Sequence, residues 1–228
     1  MGEAILFDAL GTLVALEPPA PRLARVLLER FALEVPLADA ERAIAAEIAY
    51  YRAHLDDGRD PASLADLRSR SAEALRAALP AVAAVAPASL TEALLASLSF
   101  SAFADVAPVL EALRARGTRL IVVSNWDCSL HAVLARVGLA NLLDGVVTSA
   151  EAGARKPAPE IFVRGLKIAG SSPAEAIHVG DSLEEDIAGA RAAGVRAVLI
   201  RRDGSSGPED VRTIATLAEL LASECDHQ

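Results

Sequence analysis

The sequence predicts a doubly wound α/β fold, a parallel sheet of Rossmann-like topology, with an all-helical subdomain inserted after its first strand. Three observations carry this expectation. From about residue 103 onward, short apolar runs alternate with amphipathic segments, the pattern of a parallel sheet covered on both faces. One apolar run stands alone near the start of the chain and ends in Asp8. Between Pro18 and about Leu98 the apolar residues instead recur at helical spacing.

Taken in order, Glu3-Ala4-Ile5-Leu6-Phe7-Asp8 is an apolar run closed by a carboxylate and followed by Gly11-Thr12, which predicts a buried strand entering a turn. Beyond Pro18, the sets Leu23, Val26, Leu27, Phe31, then Ile44, Ile48, Tyr51, Leu55, then Leu64, Leu67, Ser71, Leu75 each mark one helical face. Asp57-Gly58 and Pro80 punctuate them. After Asp105 the expected order is a helix near Val106 to Arg116, a strand from Arg119 to Ser124, and a helix near Asp127 to Val137. A strand from Gly145 to Ser149, a helix from Pro159 to Ala169 and a strand from Ala176 to Gly180 follow. The series closes with a helix from Ser182 to Ala193, a strand from Arg196 to Arg201 and a last helix near Ile214 to Ser223. Gly117, Gly138, Gly170 and Gly194 fall where helices need C-caps, and Ser172 with Glu175 predicts a capping box. The α/β core therefore comprises residues 1–16 and 100–228, and the helical insertion residues 17–99.

The length of 228 residues suits one domain with an insertion, and a chain 53% hydrophobic and 23% charged is neither disordered nor fibrous. The 22 Lys and Arg against 31 Asp and Glu give a net charge of −9, a field that repels polyphosphate backbones, so nucleic acid is not an expected partner. No apolar run reaches the roughly 18 residues of a membrane span, and Glu3 stands where a signal peptide would be basic. The expectation is a cytoplasmic protein with no membrane partner, a monomer or homodimer acting on a small molecule. Cys128 and Cys225 lack the paired spacing of a zinc site or disulfide framework and are expected to be free thiols.

In doubly wound sheets, ligands bind beyond the carboxyl ends of the strands. Those ends carry Asp8, Ser124-Asn125 and Gly180-Asp181, with Asp186 five residues further on and Lys156 in the turn Arg155-Lys156-Pro157-Ala158-Pro159. Carboxylates able to hold a hard cation such as Mg²⁺, a small hydroxyl and a fixed positive charge suit phosphoryl transfer. An anionic nucleophile meets an anionic phosphate there, and Lys156 and the cation offset the repulsion. Taken singly, these residues have structural explanations: Asp8 as a turn residue, Ser124 and Asn125 as helix caps, Asp186 as one of the solvated run Glu184-Glu185-Asp186.

Together they carry a resemblance. Phe7-Asp8-Ala9-Leu10-Gly11-Thr12-Leu13, Ser124-Asn125, Lys156-Pro157-Ala158-Pro159-Glu160-Ile161-Phe162 and Gly180-Asp181 with Asp186 resemble, in order and approximate spacing, the four motifs of the haloacid dehalogenase-like (HAD) hydrolase superfamily. The insertion resembles that family's helical cap, which excludes water and selects substrate. The resemblance implies Asp8 as nucleophile, Ser124 as a donor to phosphoryl oxygens, and Lys156 as the cation bridging nucleophile and substrate. Mg²⁺ would be held by Asp8, the backbone carbonyl of Leu10 and Asp181, with Asp186 as a further metal or water-shell ligand. Thr12 and Asn125 would orient the surrounding loops, and Trp126 and Asp127 are candidates to face the substrate.

The chain departs from the family's phosphatases at Leu10, where they usually carry a second aspartate serving as general acid and then base. Such a group supplies about 10²–10⁴-fold, so alkyl phosphates should turn over slowly and acyl or aryl phosphates suffer less. The implied activity is a Mg²⁺-dependent phosphatase for a small phosphorylated metabolite, working through an aspartyl-phosphate at Asp8. Gly180-Asp181 favours it over the alternatives, a 2-haloacid dehalogenase-like hydrolase or a catalytically impaired ligand-binding HAD protein. No histidine enters this mechanism: His178 lies inside an apolar strand as an expected core residue, and His54, His131 and His227 lack metal-ligand spacing. Tyr50, Tyr51, Arg52 and His54, at the end of one insertion helix, are further candidates to meet a substrate.

Overall fold

The computed structural model describes residues 3–222; Ser223, Cys225 and His227 lie outside the described residues. The chain divides into two compact units, Met1–Ala15 with Ala102–Gln228, and Leu16–Ser101. In chain order the first strand is β1 (Ala4–Phe7), followed by β2 (Val14–Leu16). Helices α1 (Pro19–Phe31), α2 (Leu37–His54), α3 (Pro61–Ala78) and α4 (Pro87–Ser97) follow, and β3 (Phe100–Ala102) pairs with β2 as the chain returns. The remainder runs α5 (Val106–Ala115), β4 (Arg119–Ser124), α6 (Leu130–Arg136), β5 (Gly145–Thr148), α7 (Ser149–Ala152), α8 (Pro159–Ala169) and β6 (Ala176–Gly180). A π-helical turn at Leu183–Ala188, α9 (Gly189–Ala192), β7 (Arg196–Ile200), β8 (Thr213–Ile214) and α10 (Glu219–Ala222) complete it.

The larger unit is an α/β fold of Rossmann-like topology. Its six-stranded sheet has the order β5-β4-β1-β6-β7-β8, with each neighbouring pair parallel. The chain starts at β1 in the middle, moves outward through β4 to β5, then crosses back to β6 and leaves through β7 and β8. The winding therefore reverses between β1 and β6, the place where such sheets open a crevice at their carboxyl ends. All four residues of β1 are buried, as required of a strand with neighbours on both sides and helices on both faces. Leu6, Ile121 and Val123 pack on one face with Ile161, Phe162 and Leu166 of α8. The smaller unit has its own core, in which Leu23 and Leu27 of α1, Ile44 of α2, Leu75 of α3 and Leu90 and Leu94 of α4 are buried together.

Several elements differ from the sequence expectation. Ile214 begins no helix; it lies in β8 beside Ile200 of β7, and only Glu219–Ala222 is helical in the tail of the described residues. The segment expected as one helix from Ser182 opens instead as the π-helical turn, with Asp186 drawn inward and buried. The strands β2 and β3, three residues each, were not anticipated, because three residues are too few to display a period of two. The capping box at Ser172 and Glu175 is present.

Candidate active site

Asp8 follows β1 directly, and its amide donates to the carbonyl of Val179 on β6 (2.9 Å), so its position is set by sheet register. Ser124 ends β4 on the other side and donates from Oγ to Asp8 Oδ1 (2.9 Å). Lys156 reaches the same oxygen from the turn before α8: its Nζ donates to Asp8 Oδ1 and to Asp186 Oδ1, both at 2.5 Å. That turn is clamped by Asn125, whose Nδ2 donates to the Lys156 carbonyl (3.0 Å) and whose Oδ1 accepts from the Lys156 amide (2.7 Å). Asn125 therefore fixes the backbone from which the lysine extends.

Asp186 is held from three directions. Oδ1 accepts from Lys156 and lies 2.8 Å from His178 Nε2, and Oδ2 accepts from the Ser182 amide (3.0 Å). Against a carboxylate the imidazole must carry its proton on Nε2. Gly180 makes room for this arrangement, since a Cβ there would stand 2.1 Å from Asp186 Cγ. Gly11 does the same for Asp181: its φ of +78° suits glycine, and a Cβ would stand 2.2 Å from Asp181 Oδ2.

One oxygen from each of Asp8, Asp181 and Asp186 lies within 4.8 Å of the others. Burial, reinforced by the charge of Asp186, raises the Asp8 carboxyl above its ordinary range despite the opposing Lys156. Asp181 is pushed up to about 6 by burial and by the charges of Asp8 and Asp186. Burial works against the ionised form of Asp186 too, but Lys156 and His178 outweigh it and hold that carboxyl well below the usual range. Lys156 is 2% exposed, yet the two carboxylates overcome the burial that opposes its charge and hold it above the ordinary lysine range. The site thus carries more negative charge than its lysine neutralises. All-oxygen donors under mutual repulsion fit a hard divalent cation.

A family model described as haloacid dehalogenase-like hydrolase matches residues 3–194. The chain belongs to that family. Among relatives of this HAD hydrolase, haloacid dehalogenase-like hydrolase domain-containing protein 3 of Bos taurus is 44% identical over 100 residues, 44% of this chain and 38% of the relative. Glyceraldehyde 3-phosphate phosphatase of Methanopyrus kandleri is 39% identical over 106 residues, 44% of this chain and 43% of the relative. The matched stretch spans less than half the length of either relative. Among solved structures, an HAD phosphatase from Thermococcus onnurineus superposes with a TM-score of 0.68 at 28% identity, covering 97% of both chains. A 2-haloacid dehalogenase from Pseudomonas syringae pv. Tomato DC3000 gives 0.69 at 26% identity, covering 99% of both.

Within this HAD core the side chains of Asp8, Ser124, Lys156, Asp181 and Asp186 converge, with Asn125 behind Lys156. Thr12 is buried in the turn after Asp8, and its hydroxyl has no partner among the described residues. Leu10 lies in that turn, bridged to Val14. Trp126 and Asp127 are buried, and Asp127 Oδ1 shapes its loop by accepting from the Ser129 amide (2.7 Å). In the helical unit, Tyr50 stacks on His54 (4.1 Å between centroids) and accepts from Arg70. His178, expected as a core residue with no part in the site, is a core residue that also bonds the site. It is fully buried in β6, edge-on to Phe162, and bonds Asp186. Its signal was position: two residues before Gly180, it shares that residue's face of the strand. Among the described residues no helix is long and apolar enough to cross a membrane.

Proposed function

We propose that this HAD hydrolase is a Mg²⁺-dependent phosphatase that turns over a small phosphorylated metabolite through a covalent aspartyl-phosphate on Asp8. The observation that carries this reading is the buried Lys156 ammonium joined to Asp8 and Asp186 inside a group of three carboxylates. Asp8 Oδ1 is engaged by Ser124 and Lys156, which leaves Oδ2 as the attacking atom. Its lone pair forms the new O–P bond while the P–O bond to the leaving group breaks, and the leaving oxygen keeps that electron pair and takes its proton from water, since Leu10 offers none. Water then attacks phosphorus and gives up a proton to solvent, the bond between Asp8 and phosphorus breaks, inorganic phosphate is released and the free carboxylate is regenerated.

Lys156 and Ser124 already lie against the nucleophile, so charge and hydrogen-bond donors are in place before the phosphoryl group arrives. Asp8, the backbone carbonyl of Leu10 and Asp181 are the residues that would hold Mg²⁺. Asp186, whose oxygens are shared among Lys156, His178 and Ser182, would act through water. When bound, the cation neutralises charge on the transferring group and orients it. The likenesses to an archaeal glyceraldehyde 3-phosphate phosphatase and to an HAD phosphatase structure support a phosphatase acting on a small phosphate ester.

The likeness to a 2-haloacid dehalogenase favours a second reading, in which Asp8 displaces halide from carbon and Asp181 is dispensable. One panel separates the two: phosphate release from aryl, acyl and alkyl phosphates and halide release from a 2-haloacid, each with Mg²⁺ and with chelator, against Asp8→Asn. Phosphate release that requires the cation and Asp8, fastest with good leaving groups, is expected. Halide release in chelator would favour the dehalogenase, and no release of either would favour a ligand-binding protein.

A further inference from the structure

β7 delivers two consecutive arginines to the carboxyl end of the sheet, and each grips the backbone of a different loop of the candidate site. Arg201 donates from one terminal nitrogen to the carbonyl of Asp181 (2.9 Å). Arg202 donates from NH2 to the carbonyl of Thr12 (2.5 Å), in the turn that follows Asp8. The same guanidinium uses NH1 on both oxygens of Asp105 (2.8 Å each) and lies over the Phe103 ring, 4.2 Å from its centroid. Asp105 is itself fixed by the Leu217 amide (2.7 Å). The two gripped loops meet where Gly11 packs against the Asp181 carboxylate.

We propose that Arg201 and Arg202 are positioning residues, a two-pronged brace that sets the distance between the loop bearing Asp8 and the loop bearing Asp181. Neither guanidinium bonds a carboxylate of the candidate site; each acts through a main-chain carbonyl. The anchor is rigid, because the Arg201 amide donates to Ile214 on the edge strand β8 (2.8 Å) and Arg202 is only 16% exposed in its ion pair with Asp105. Groups behind metal-holding residues set affinity by holding them in place, and losing one typically costs about 10–100-fold. The two prongs differ in chemistry. Arg201 supplies one bond to one carbonyl, which a lysine can also make. Arg202 must serve Asp105 and Thr12 at once, which needs the planar fork of a guanidinium.

The consequence for cation binding rests on the function proposed above, whereas the brace itself is tested by backbone exchange. Arg201→Ala, Arg201→Lys, Arg202→Lys and the control Arg196→Ala, an exposed residue at the opposite end of β7, are compared by hydrogen-exchange mass spectrometry and by Mn²⁺ titration calorimetry. Arg201→Ala should speed exchange in residues 181–188, Arg202→Lys in residues 9–14, and each should weaken Mn²⁺ binding about 10-fold or more. Arg201→Lys should restore most of the affinity, and Arg196→Ala should change neither readout. Exchange unchanged in both loops, or raised evenly over the whole chain, would overturn the brace. If the unmodified protein binds no Mn²⁺, the metal-dependent reading falls, and loop exchange alone decides the brace.

Discussion

At Asp8 the proposed chemistry turns on which carboxylate oxygen is free. Ser124 and Lys156 both sit on Oδ1, and Lys156 extends from a turn that Asn125 holds by its backbone. What is missing is a proton donor at the second position after the proposed nucleophile, where Leu10 stands. Leu10→Asp should therefore accelerate hydrolysis of an alkyl phosphate toward the roughly 10²–10⁴-fold that a positioned acid supplies, and should affect an acyl phosphate far less. Comparing kcat for the two substrates in both proteins checks this; equal effects on both would speak against proton donation as the missing step. At this scale the sequence was informative about place: Asp8, Ser124 and Asp181, singled out at strand ends, stand together at the carboxyl ends of adjacent strands. It placed His178 in the core without showing what it would bond, and it was silent on Arg201 and Arg202. A buried histidine in an apolar strand looks like packing, and an arginine after a strand looks like surface, until the fold shows which oxygen each one meets.

Among the elements, α2 carries a buried carboxyl, Glu47, that is 4% exposed within the helical unit. Burial pushes it up to about 7 from its ordinary 4.5, with Ser71 of α3 offsetting part of the effect. The folded state therefore holds a proton that the unfolded chain releases from about pH 4.5 upward. The stabilisation is complete below that pH and is lost as the pH rises through about 7, by up to about 3 kcal/mol. Glu47→Gln should remove this loss, so the stability gap between variant and parent should widen in the variant's favour from pH 5 to pH 8. Denaturant unfolding followed by circular dichroism at the two pH values measures it, and a gap independent of pH would contradict the assignment. The elements also mark where pattern reading runs out. Ile214 fits a helical period with Leu217 and Leu220, but pairing with Ile200 at the sheet edge overrode it. The helix expected from Ser182 gave way to a π-helical turn that brings Asp186 onto Lys156, a tertiary demand with no local signature.

Over the whole molecule, the strand order places Asp8, Ser124 and Asp181 on three adjacent central strands, because β4 and β6 flank β1. That order follows from winding outward on one side and returning to the other; the alternation of strand and helix in the sequence implied a parallel sheet covered on both faces, but not the order of its strands. The helical unit was legible as well, since spacings of three and four held over α1 to α3. If the carboxylate group holds a divalent cation in the native state alone, the cation stabilises the fold by mass action, about 2.7 kcal/mol at 100 times its dissociation constant. Mg²⁺ should raise the melting temperature of the parent protein and leave that of Asp181→Asn nearly unchanged; an equal rise in both would place the cation elsewhere.

The central claim is a covalent phosphoryl group on Asp8, and it can be read directly. The protein is quenched in acid during turnover of an aryl phosphate with Mg²⁺, treated with borohydride, which reduces an acyl phosphate to an alcohol, and digested for mass spectrometry. The account predicts reduction at residue 8 alone, absent without substrate and absent in Asp8→Asn. Phosphate release with residue 8 unreduced, or with the reduced side chain elsewhere, would contradict it.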